Sequence, residues 1–537
     1  MGSYFGELVH AWSAGERRLV RVALAGALLA AIAWIWLMVS EHSIFIPVAG
    51  GAYAEGILGQ PTNINPLIAG TPADQDVAAL VFSPLQTLTE NVDVSADSRV
   101  YRVTLREDLV WDDGEPLTSD DVLFSIRLIQ NPAAHSPLFR NWEQVTVERV
   151  SALQFLVTLR DPYVFFGEHL AAVRVLPQHI YGAVPPENFS LSSYALRPVG
   201  NGPYRVRNFV ARNDGFITEY RLTRNDRYAG PRPFIEDFAL RFYETEAELQ
   251  GALRLREVQG TGSLMPFPAA FRDIPGIQIS EFPMARYYAV FFNQVNNPML
   301  KSRNLREALS LAIDRTKLVA GVFAGHGEPI ASPVVPAFFD MPASTTLPKP
   351  SFDPEQARAL LAAANIGTTT LTFAVPKTPI LEATARLLQE AWTAIGVSVT
   401  VVPVEPSALA TDVVRTRNYD LLLFGNILAD PADLFPFWHS SQRSAGGANL
   451  ALYENVEVDA ALERIRQTLP ANERPAELSR AANRIAADIP AVFLVSMPYL
   501  YAHTERLGGF SPQRITMPAD RFAGVARWSV TRARILE

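Results

Sequence analysis

The chain has 537 residues, with 47 Lys and Arg against 55 Asp and Glu, and no cysteine. The missing thiols exclude disulfides, cysteine catalysis, thiolate metal sites and a lipid-modified cysteine as anchor. A net charge of −8, with no basic stripe after the first apolar segment, argues against a nucleic-acid partner, and a content of 48% hydrophobic and 19% charged residues reads as globular.

In chain order, the first feature is residues 22–39, a run of 18 residues without a formal charge. As a helix rising about 1.5 Å per residue it spans roughly 27 Å, close to the ~30 Å hydrocarbon core of a bilayer. Arg17, Arg18 and Arg21 precede it, and Glu41 and His42 follow. The positive-inside rule then predicts a cytoplasmic N-terminus over 1–21, a transmembrane anchor over 22–39, and a body outside the cell membrane. Trp34 and Trp36 suit an interfacial belt. Cleavage as a signal peptide is the competing reading. Its one tidy site, Ala52-Tyr53-Ala54, lies well past the run and inside the first expected strand, so a retained anchor is preferred. Residues 40–49 read as a linker.

Residues 100–105 alternate like a half-buried strand. A WDDGEPL turn follows, and Thr118 with Asp121 three residues on predicts a capped helix that stops at Asn131-Pro132. A helix around 303–313 places Leu305, Leu309, Ala312 and Ile313 on one stripe. Asp353, Pro354 and Gln356 mark another helix start. Residues 371–376, 380–395 and 397–404 form a β-α-β unit, with Leu381, Ala385, Leu388 and Trp392 on the buried helix face and Gly396 in the left-handed cap position. Residues 419–426 are a further buried strand. The sum is an α/β body with mixed sheets, in more than one lobe.

The sequence has no GxxxxGK[ST], GxSxG or HExxH motif, and the GTG at 260–262 reads as an ordinary turn. His439 reads as a polar or hydrogen-bonded residue rather than a metal ligand. Asp430 and Asp433, three residues apart, leave three readings open: a catalytic carboxylate pair, helix capping, or charge complementarity to a bound cation such as a ligand ammonium.

Five motifs in order resemble a family. WDDGEPLTSDDVLFS (111–125) is similar to the signature of bacterial extracellular solute-binding proteins of family 5, the peptide and nickel-type receptors of ABC importers. Gly200-Asn201-Gly202-Pro203-Tyr204 resembles its GTGPY turn. Residues 291–315, 419–442 and 449–459 resemble its F-N…A-I-D-R, YD…DYPDP…F and N…Y-x-N-x-E-V-D segments. The resemblance implies a type II periplasmic-binding-protein fold with an additional inserted domain, two lobes around a cleft. Domain I then combines 50–84, 199–290 and 491–537, domain II is 85–198 and domain III is 291–490. Residues 286–293 and a segment near 490–498 cross between lobes.

The implied function is capture of a small solute, a peptide above all, by hinge closure, and delivery to an ABC permease. The protein is then no enzyme, needs no cofactor or metal, and is a monomer outside the transporter complex. In peptide-binding members an Asp of the DYPDP-like loop pairs with the peptide α-ammonium, and Asp430 takes that place. Asn426, Trp438, Tyr287 and Tyr288 are the neighbouring candidates for cleft wall, and Asp433 is a cap. The loop departs from the family pattern as Pro431-Ala432-Asp433-Leu434, so ligand identity stays open. The competing functions are a ligand sensor or chaperone without transport, a hydrolase using Asp430 and Asp433, and binding of a sugar or a metal chelate.

Overall fold

The computed structural model describes residues 13–536, apart from 42, 69, 269–270, 272, 340–345, 365–369, 445, 468–469, 471 and 513–514. The first twelve residues of the expected cytoplasmic segment lie outside the described residues. The helix Ala14–Glu41 is continuous. Its window Arg18–Met38 is long and apolar enough to cross a membrane, and none of it is buried against the body. It is therefore not a core helix.

The body is built on three larger sheets and one small ribbon. A seven-stranded mixed sheet runs in the order 277–282, 499–504, 260–263, 52–58, 237–243, 217–224, 204–211. A four-stranded antiparallel sheet runs 89–94, 100–105, 154–159, 145–151. Its helix Ser119–Ile129 starts as expected: Thr118 and Asp121 form a reciprocal capping box. One continuous apolar core serves both sheets, with Tyr53, Tyr204 and Phe238 from the first and Val103, Trp111 and Phe155 from the second region.

The third sheet has six strands in the order 328–329, 491–496, 286–292, 421–427, 370–376, 398–404. Its parallel pair Thr370–Pro376 and Ser398–Val404 is joined by the helix Pro379–Ala394, with Leu381, Ala385, Leu388 and Trp392 buried. Gly396 holds φ +95°, the left-handed cap that a Cβ would strain. Every residue of Arg286–Phe292 is buried, because both faces of this central strand are covered. Successive side chains of a strand point to opposite faces. Tyr287, Ala289 and Phe291 thus enter one core with Trp438 and Leu478, while Tyr288, Val290 and Phe292 enter another with Leu305 and Trp392.

The chain passes from the seven-stranded to the six-stranded sheet at residues 283–285 and returns at 497–498. The strands Arg286–Phe292 and Ala491–Ser496 pair with each other in the six-stranded sheet, so the expected limits 290/291 and 490/491 fall inside or before strands of one sheet. The expected turn at 260–262 is instead a strand, Gly260–Ser263, inside the seven-stranded sheet. Its glycines are required by close approach: a Cβ on Gly260 would collide with Tyr53 Oη, and one on Gly262 with Tyr499 Oη.

Candidate ligand-binding cleft

The six-stranded sheet ends in the loop that carries the candidate aspartates. Leu428 N donates to Ala285 O at 2.8 Å, which ties the loop to the first passage between sheets. Asp430 then turns the chain: its Oδ1 accepts from Ala432 N at 2.7 Å, and its carbonyl accepts from Asp433 N at 3.1 Å. This is an Asx-type turn, which a short acidic side chain favours. The Asp430 carboxylate is buried and held in one orientation by the turn.

Asp433 does more than cap. Its Oδ1 accepts from Phe435 N at 3.3 Å, at the start of the short helix Phe435–Trp438. Its Oδ2 accepts from Tyr163 Oη at 2.9 Å and lies 3.2 Å from Arg466 Nη2. Tyr163 belongs to the four-stranded region, so this carboxylate spans two units. The same phenol sits 2.9 Å from His169 Nε2. Its single proton is given to Asp433, so the imidazole N–H is the donor in that pair. Burial pushes the His169 pKa down, which favours the neutral ring. Burial pushes the Asp433 carboxyl up, and Arg466 and Tyr163 oppose it. Arg466 completes the seam by stacking on Tyr163 at 4.6 Å and Phe435 at 4.4 Å, and its carbonyl accepts from Val164 N at 2.9 Å. A cavity of about 420 Å³ opens beside this seam, lined among others by Arg140, Arg160, Gln442 and Arg466.

Of the five predicted residues, the structure brings three into one group. Tyr287 Oη accepts from Asn426 Nδ2 at 2.9 Å and from Trp438 Nε1 at 3.0 Å. Asn426 pairs directly opposite Tyr287 in the strand ladder, which is why they meet. Burial raises the Tyr287 phenol pKa and keeps it protonated. Trp438 is fully buried and packs against Phe291, Tyr453 and Phe493. Tyr288 lies on the other face, where Gly425 leaves room for its ring: a Cβ there would come within 2.8 Å. Tyr287, Tyr288 and Asn426 all line a cavity of about 190 Å³ between Leu264 of the seven-stranded unit and the end of the six-stranded sheet.

Arg286, which sequence reasoning passed over, sits in the same wall. Its Nε donates to Met497 O at 3.0 Å and its Nη2 to Pro498 O at 3.2 Å and to Leu264 O. One buried guanidinium thus ties both passages between sheets. Tyr163, His169 and Arg466 were missed too. Nothing near them in sequence marks them, since their partners are 270 and 33 residues away in Asp433 for the first and last. His439 is hydrogen-bonded, with Nδ1 2.8 Å from Ser441 Oγ, and stacks on Phe435.

Residues 84–449 match the bacterial extracellular solute-binding proteins, family 5 Middle. The chain is 24% identical over 496 residues to the oligopeptide-binding protein AppA of Bacillus subtilis, covering 86% of this chain and 89% of that protein. The solved structure of that AppA in complex with a nonapeptide superposes with a TM-score of 0.74 at 23% identity, over 90% of this chain and all of that one. NikZ of Campylobacter jejuni in complex with Ni(L-His) superposes with a TM-score of 0.72 at 23% identity, over 89% and 99% of the two chains. The fold is therefore that of the solute-binding proteins. With its match spanning more than half of the sequence, the chain belongs to the bacterial extracellular solute-binding proteins of family 5.

Proposed function

We propose that the chain is the membrane-anchored extracytoplasmic substrate-binding component of an ABC importer, and that its substrates are peptides. The observation that carries this reading is the family match together with the near full-length likeness to an oligopeptide-binding protein. The apolar, unburied helix before the body supports the anchor. A tether of this kind raises the effective concentration of the receptor at its permease. The binding unit acts alone, as a monomer, until it docks.

In this reading the clamp has units 50–84 with 199–285 and 497–536, then 85–198, then 286–496, drawn along the sheets. Peptide binding closes the last unit on the other two through its higher affinity for the closed form. Asp430 receives the peptide α-ammonium. The turn around it supports that role, because a carboxylate held by a backbone N–H is set before the ligand arrives. Tyr287 offers its phenol proton, and Tyr288 and Asn426 their edges, from the 190 Å³ cavity. Trp438 serves behind them by holding Tyr287. Asp433 belongs to the seam, not to the ligand.

Titration calorimetry with one peptide in two forms tests the reading. A free N-terminus should bind and an acetylated one should bind at least tenfold more weakly in the wild type, with that difference lost in Asp430→Asn. Equal binding of both forms by the wild type would reject Asp430 as the ammonium site.

A further inference from the structure

The segment just after the helix forms a β-ribbon with a strand from the far end of the fold. Ser43–Pro47 pairs antiparallel with Arg532–Leu536, in the register Ile44 opposite Ile535, Phe45 opposite Arg534, Ile46 opposite Ala533 and Pro47 opposite Arg532. Among the described residues this ladder is a sheet of its own, with no third strand. Paired residues share a face. One face is therefore Ile44, Ile46, Ala533 and Ile535, wholly apolar. The other carries Phe45, Pro47, Arg532 and Arg534, with the Arg534 guanidinium 5.8 Å from the Phe45 ring. Ile44 is 43% exposed, Phe45 64% and Ile535 41%. A lone two-stranded ribbon is marginal in water, and the Ile44–Ile535 end of this one's apolar face is exposed, with Ile46 and Ala533 half-buried behind it.

We propose that this ribbon lies in the interfacial layer of the bilayer that holds the anchor, its isoleucine face toward the acyl chains. The proposal rests on the anchor reading and adds a second membrane contact to it. Chain geometry demands closeness. The helix continues to Glu41 and the ribbon starts at Ser43. Three helical residues beyond Met38 rise about 4.5 Å, and two extended ones add at most about 7 Å. The apolar run of roughly 27 Å is also slightly short for a ~30 Å core, which draws the helix end inward. The chemistry agrees: isoleucines face the acyl chains, while Arg532 and Arg534 extend from the opposite face to lipid phosphates. A second contact would fix how the body stands on the membrane, because a single helix alone leaves it free to swivel.

The absence of cysteine from the sequence makes the test clean. The full chain, with a single environment-sensitive fluorophore at Ile535→Cys, is reconstituted in vesicles of phosphatidylcholine and phosphatidylglycerol. Leu28→Cys in the helix and the exposed Leu191→Cys on the body serve as references. The label at 535 should shift to the blue and be quenched several-fold more than at 191. Lipids with a quencher near the headgroup should act on it more than lipids quenched at the chain end, and Ile44→Cys should behave alike. If position 28 is quenched by the deep lipids while 535 and 44 behave like 191, the ribbon is off the membrane and the anchor stands. If 28 is also unquenched, the anchor reading fails and takes the ribbon with it. A blue shift at 535 that vanishes on diluting the protein among vesicles would assign the face to a second copy and overturn the proposal.

Discussion

Two arginine–carboxylate groups in this molecule share their chemistry and differ in what they join. Arg521 places Nε 2.8 Å from Glu55 and both Nη atoms 2.7 Å from Asp76, all three side chains lying in one unit and buried. Tyr501 donates to Glu55 at 2.6 Å and meets Tyr53 at 2.8 Å. Burial pushes the Glu55 pKa up, and Arg521 pulls against it. Arg466 and Asp433, by contrast, both belong to the last unit and together hold Tyr163 of the neighbouring one, and Arg466 keeps 24% of its side chain exposed. The first group can be separated only by unfolding. The second would stay together if the units parted, and would lose only Tyr163. Similar groups therefore act as a rivet in one place and as a catch for Tyr163 in the other, and a partner from a second unit makes the difference.

Breaking the rivet should have the largest effect. Arg521→Met strands two buried carboxylates and should lower stability by about 3–5 kcal/mol, read by chemical denaturation of the body. A small loss there would erase the distinction drawn above. Asp430→Ala, beside the catch, should cost about 1 kcal/mol of stability through the lost acceptor of Ala432 N–H, and about 2–5 kcal/mol of peptide affinity in calorimetry. Tyr287→Phe should fall between, because the Asn426 amide and Trp438 indole lose their acceptor. The expected cost is about 1–3 kcal/mol in unfolding, with a smaller change in binding. Arg466→Gln should change unfolding by only ~1 kcal/mol or less, yet raise the radius of gyration of the unliganded protein in small-angle scattering. An unchanged radius would mean that the hold on Tyr163 is no latch.

The smallest effect expected is that of pH. The folded pKa of His169 lies below its ordinary value, so its contribution is present above about pH 6.5 and is lost as pH falls through the lower folded value. Asp433 has the opposite sign: its raised folded pKa favours the fold at low pH, and that gain fades as pH rises through the folded value. Loosening of the seam as pH falls below the ordinary imidazole range therefore belongs to His169, and His169→Gln should abolish it in scattering or hydrogen exchange at residues 163–169.

What could be read from sequence was what local periodicity and order carry. The Thr118 cap, the β-α-β unit over 370–404 and the order of the five family motifs all rest on residues close in the chain. What could not be read depends on partners far apart. GTG at 260–262 has the composition of a turn, and only Tyr53, Tyr499 and Tyr501 folding over it make it a strand. Asp433 reads as a cap from its neighbours, and Tyr163 and Arg466 make it a seam. Tyr287, Asn426 and Trp438 read as separate cleft-wall residues in the sequence, and the fold joins them by hydrogen bonds. The Arg532–Leu536 strand gives no signal until its partner Ser43–Pro47 is known.

The most direct measurement is native mass spectrometry of the full chain, released from gentle detergent, followed by sequencing of whatever leaves on denaturation. The expected adducts are peptides with free α-amino groups on the wild type, and none on Asp430→Asn. A sugar or metal chelate as the bound species, or equal peptide loading of both proteins, would contradict that expectation.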